Sequence, residues 1–154
     1  MVRTTQDADI VAKLKMQDAK PLVAALQKDF FIDEQMVTGA IVSRSSFNIL
    51  HIGTMFKVDI FIPSERKFTQ QQFARSKTAA LSLEHAVQAV VASPEDTILA
   101  KLEWYKQGGE VSERQWRDIL GLIAVQRDLL DINYLKQTAA QLGLTALLAK
   151  AFES

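Results

Sequence analysis

Asp7 and Asp9 stand one residue apart in "RTTQDADIV" (residues 3–11), inside an otherwise apolar run. Side chains alternate faces along a strand, so a strand here burying Ala8 and Ile10 sends both carboxylates out on the other face. Like charges side by side repel, and the pair calls for a positive partner. "FKVDIFIP" (56–63) carries a similar alternation: Val58, Ile60 and Ile62 share one face, while Lys57, Asp59 and Phe61 share the other. If the two strands are neighbours, about 4.8 Å apart, Asp59 completes a set of three carboxylates. Three hard oxygen donors without histidine or thiolate suit Mg²⁺ or Mn²⁺, with phosphate oxygens and water completing the shell. Two such ions would polarise a phosphate and activate a nucleophile for an in-line transfer. A solvated edge-strand position is the competing explanation for each aspartate.

The elements that must position these acids can be read from pattern. "DADIVAKL" predicts a short strand, and Leu22, Val23, Leu26 and Phe30 predict a helix near 18–29. β character follows: "MVTGAIV" (36–42) reads as a strand, and "FNILHIGTMFKVDIFI" (47–62) as two strands joined around Gly53-Thr54, closed by Pro63. "TQQQFARSK" (69–77) predicts a short helix. "TAALSLEHAVQAVVAS" (78–93) is ambiguous, its valines favouring a last strand before Ser93. At "SPED" (93–96) the character changes. Ser93 as N-cap, Pro94 at the first helical position and Asp96 in the first turn predict a helix running to Gly108-Gly109. Ser112 and Gln115 offer a capping box for the next helix, and two more are expected near 131–141 and 144–152, broken at Gly143. The expectation is an α+β fold: an α/β core over 1–92 and a helical bundle over 93–154 packed as one unit with it.

Composition sets the class. The 154 residues hold 48% apolar and 23% charged side chains, the balance of a globular domain. Eighteen basic residues match eighteen acidic ones, so no global field selects nucleic acid or a membrane surface. The absence of cysteine removes disulfides, thiolate metal sites and cysteine nucleophiles, and suits a cytoplasmic protein. No apolar run approaches the roughly 18 residues that span a bilayer, so no membrane association is expected.

Taken in order, these motifs resemble the nucleotidyltransferase superfamily, the polymerase-β-like fold, and within it small bacterial nucleotidyltransferases related to abortive-infection and toxin proteins. "RTTQDADIV" is similar to the family's strand with two metal-binding acids, and "FKVDIFIP" to the strand with the third. "EDTILAKLEWY" (95–105) resembles its helix bearing a lysine, and "RQWRDILGLI" (114–123) the next helix with its aspartate. The resemblance implies a mixed sheet with flanking helices and a C-terminal bundle. It makes Asp7, Asp9 and Asp59 metal ligands, Asp59 being also catalytic, with Lys101 and Asp118 as accessories to the nucleotide or the acceptor. It implies transfer of a nucleoside monophosphate from an NTP to a hydroxyl of a protein, tRNA or small molecule. The family's glycine turn, which holds the triphosphate, precedes its acids; here only Met1–Gln6 precede Asp7, and none is glycine. Either the sequence starts at an internal methionine, or the turn is lacking. The second case leaves a sheet edge open, where a partner chain or a second copy is expected to pair. It also makes a catalytically weakened binding or regulatory module the alternative function.

Other residues have weaker claims. Helical periodicity alone leaves Lys101 solvated beside Leu99 and Leu102. Arg44, Arg66 and Arg75 are candidates for lining the nucleotide cleft, Arg44 and Arg75 foremost, against ordinary exposed arginines. His51 and His85 lack thiol companions and do not make a zinc site. Trp116 is expected to pack between helices, and Asp118 stands near Arg114 and Arg117 as in a surface ion pair.

Overall fold

The computed structural model describes residues 7–63, 66–80 and 88–154. Met1–Gln6, His85 and the rest of 81–87 lie outside the described residues, as does the side chain of Asp7. The fold is α+β, with seven α-helices, a four-stranded mixed sheet and a two-stranded sheet among the described residues. The chain divides into two compact units, the first ending at Arg66 and the second running Lys67–Ser154. The change of composition at Ser93 falls inside the second.

In the first unit β1 (Asp7–Val11) leads into α1 (Met16–Leu26), then β2 (Phe30–Phe31), α2 (Glu34–Ser43), β3 (Ser46–His51) and β4 (Lys57–Phe61). The sheet order is β1-β4-β3-β2, with β1 parallel to β4 and the remaining pairs antiparallel. β4 alternates as its sequence predicts: Val58 and Ile60 are buried, while Lys57, Asp59 and Phe61 are half-buried on the opposite face. Phe47 and Ile49 of β3 join them, and Ala19 of α1 with Val37 and Ala40 of α2 close the core.

Two expectations are corrected. "MVTGAIV" is not a strand but most of α2. Asp33 caps that helix, accepting from the Met36 amide at 2.8 Å, and Val37 and Ala40, three apart, both face the core. A good cap and a packed stripe outweigh the β-branched residues, because propensity is the weaker term. Ile10 is also not buried. It is 47% exposed and Val11 43%, since β1 is the outermost strand of the described sheet.

The second unit begins with α3 (Lys67–Arg75) and a hairpin of β5 (Lys77–Ala80) and β6 (Gln88–Val91). β6 ends just ahead of Ser93, where the last strand was expected. Four helices follow: α4 (Pro94–Gln107), α5 (Glu113–Gln126), α6 (Ile132–Leu142) and α7 (Thr145–Glu153). The N-cap at Ser93 forms, its Oγ accepting from the Asp96 amide at 3.1 Å, and Ser112 accepts from the Gln115 amide at 3.3 Å. Gly109 (φ 79°) lies in the left-handed turn that follows α4, and Gly143 (φ 67°) ends α6 in the same conformation, which costs glycine least. Ile98, Leu99 and Leu102 of α4, Ile119 of α5 and Leu135 of α6 are fully buried together. No helix among the described residues is long and apolar enough to cross a membrane.

Candidate functional site

The acids of the first unit are placed by register. β1 and β4 pair in parallel with Asp9 opposite Asp59 and Asp7 opposite Lys57. In-register residues on neighbouring strands share a face, so Asp9 and Asp59 belong to the sheet face turned away from α1 and α2. Asn48 of β3 is the register partner of Asp59 on its other side. This polar row is a direct consequence of the alternation that buries Val58 and Ile60.

Asp59 already has a cationic neighbour. Lys57 Nζ lies 2.6 Å from Asp59 Oδ2, the two side chains being 40% and 22% exposed. Residues two apart on a strand point the same way, so the contact requires no distortion. Among the described side chains, the acids brought face to face are Asp9 and Asp59, and no group of three or more His, Cys, Asp or Glu is poised around one point. The described part of the predicted donor set is two carboxylates on adjacent strands, oxygen donors of the kind hard divalent cations take. Occupation of Asp59 Oδ2 by such an ion requires Lys57 to leave it.

His51 closes the hairpin between β3 and β4. Its Nδ1 accepts from the Thr54 amide at 3.2 Å and lies 2.9 Å from Thr54 Oγ1, and its ring meets Phe30 edge-on at 5.2 Å. These contacts shape a turn. Arg44 is exposed at the C-cap of α2 in the left-handed conformation (φ 49°), two residues ahead of β3.

The remaining predicted residues belong to the second unit. Lys101 on α4 and Asp118 on α5 are both half-buried on helices that pack together, so Lys101 is less solvated than periodicity implied. Arg75, at the end of α3, is held by acids. Its Nη2 is 3.4 Å from Glu95 Oε2, its Nε 3.3 Å from Asp96 Oδ2, and its guanidinium lies 3.7 Å above the ring of Tyr134. Trp116 packs against Tyr105 at 5.1 Å between ring centres, as expected of a helix-packing residue, and Lys150 Nζ lies 5.0 Å over its ring. An open cavity of about 320 Å³ is lined by Tyr105, Glu110, Val111, Glu113, Trp116 and Arg117. No residue of the predicted catalytic or metal set lines it.

Sequence reasoning missed the polar network around Arg75. Glu95 and Asp96 are buried, Asp96 completely. Asp96 accepts from Tyr134 Oη at 2.6 Å and from Ser93 Oγ at 2.9 Å, while Glu95 Oε1 accepts from the Asp131 amide at 2.8 Å. Burial works to raise the Glu95 carboxyl, yet the Asp131 amide, its own amide, Ser93 and Arg75 together hold it below the usual glutamate value. For Tyr134 burial, then the hydrogen bond to Asp96 and that carboxylate's charge, push the phenol up to about 12. "SPED" gave a signal for a helix start, and the same two acids serve a buried tie between α3, α4 and α6. Nothing in the local sequence separates those roles. No family model matches the chain, and none of the characterised proteins compared with it does.

Proposed function

We propose that the chain is a metal-dependent nucleotidyltransferase of the cytoplasm, binding an NTP with Mg²⁺ or Mn²⁺ at the polar sheet face of its first unit. The observation that carries this reading is the parallel register that sets Asp9 opposite Asp59. Asp9 and Asp59, with Asp7 on the same strand as Asp9, would hold the cation, which would neutralise phosphate charge during attack by an acceptor hydroxyl. The chain's own part is positional. β4 is fixed by Val58 and Ile60 in the core, so Asp59 is presented from a rigid strand, as site residues should be. A protein, a tRNA or a small molecule is the acceptor class. The test is transfer of α-phosphate label from NTPs to an acceptor in extract of the source cells. The expected outcome is Mg²⁺-dependent labelling that Asp59→Asn abolishes; equal labelling by that variant contradicts the reading.

A second reading is favoured by a separate observation, the outermost position of β1 with Ile10 and Val11 exposed. It makes the protein a binding or regulatory module whose sheet edge pairs with another chain or a second copy. Self-association in sedimentation that survives Asp59→Asn and is lost in Ile10→Lys supports that module.

A further inference from the structure

Lys57 supplies the acidic face with a cation of its own. Its Nζ is 2.6 Å from Asp59 Oδ2, its Cα is the register partner of Asp7, and that of Asp59 is the partner of Asp9. The ammonium therefore stands on a strand pair whose facing positions are aspartates. The ion pair is partly exposed, and such pairs are weak enough to exchange. A divalent ion and an ammonium repel one another strongly at contact distance, so one carboxylate oxygen does not serve both. Lysine carries its charge on a flexible four-carbon stem and is a regular phosphate partner, so it has somewhere to go once displaced.

Resting on the metal and nucleotide reading above, we propose that Lys57 is the resident counter-ion of Asp59, yielding the carboxylate to an incoming divalent cation and then pairing with the phosphates of the nucleotide. The arrangement lowers the negative charge of the acidic face and couples cation entry to release of the Lys57–Asp59 pair, which turns the ammonium to the NTP. In the register of β1 against β4, the lysine set beside these acids is Lys57.

The test is Mn²⁺ binding by the full chain, read from loss of the free-ion electron paramagnetic resonance signal, for the wild type, Lys57→Gln, Lys57→Met and Asp59→Asn. Circular dichroism melts establish that each variant folds. Without nucleotide, both Lys57 variants are expected to bind Mn²⁺ about 3- to 10-fold more tightly than the wild type, because a competing cation is gone. At saturating Mn²⁺ the same variants should bind ATP about 3-fold or more weakly, through loss of a phosphate contact. Wild-type binding that Asp59→Asn removes, with affinity unchanged or weakened in both Lys57 variants, overturns the exchange and leaves the metal reading standing. Unchanged ATP affinity in the variants overturns the phosphate pairing. No Mn²⁺ binding by the wild type or either Lys57 variant overturns both inference and reading.

Discussion

Tyr134 shows how far one residue is governed by its surroundings. Its phenol donates to a carboxylate that is wholly buried, and its ring carries a guanidinium, so ionisation would set a second negative charge against Asp96. The folded-state value is pushed up from 10.0 to about 12. A raised folded pKa means stability that is complete below the unfolded value and lost as pH rises through the folded one. The second unit should therefore lose stability between about pH 10 and 12, and the Tyr134 tyrosinate absorbance should appear only near the top of that window. Tyr134→Phe should remove that late step from the spectrophotometric titration. A wild-type curve unchanged by the substitution would contradict the network. At this scale the sequence was partly legible. The shared face of Lys57, Asp59 and Phe61 followed from alternation alone, whereas the Lys57 ion pair and the burial of Glu95 and Asp96 depend on neighbours distant in sequence.

At the scale of elements, terminal signals proved more legible than interior composition. The N-cap and Pro94 of α4, the serine cap of α5 and the glycine ending α6 all appear where the chemistry of helix ends requires them. α2 was misread because valine, threonine and isoleucine suggest a strand, while its cap lay just outside the stretch taken as β. β1 is a strand, as alternation predicts, but Ile10 is not buried on it, since which strand lies outermost is a tertiary property. α4 gives the sharpest test. Ser93 both caps the helix and donates to Asp96, so Ser93→Ala should lower stability by about 1 kcal/mol or somewhat more. Leu99→Ala, in a fully buried position, should cost about 2–5 kcal/mol. Chemical denaturation of the two variants checks the ranking; equal or reversed losses would contradict the larger share of the core in holding α4.

Over the whole molecule, two cores organise the chain, one of sheet and two helices and one of packed helices. The change in composition at "SPED" marks where helices become continuous, but α3 and the β5–β6 hairpin already belong to the second unit. Contact between distant segments sets that division, and local pattern does not carry it. The predicted site residues are correspondingly divided: Asp7, Asp9, Asp59 and Arg44 in the first unit, and Arg75, Lys101 and Asp118 in the second. The account of function needs only the first group, and within it the register of β1 against β4. Calorimetric titration of the full chain with ATP, with and without Mg²⁺, in the wild type and Asp59→Asn tests it most directly. The account predicts binding that requires Mg²⁺ and is weakened at least about 10-fold by the substitution, since even loss of a residue that only supports a metal ligand costs that much. Metal-independent binding, or equal affinity in Asp59→Asn, would contradict it.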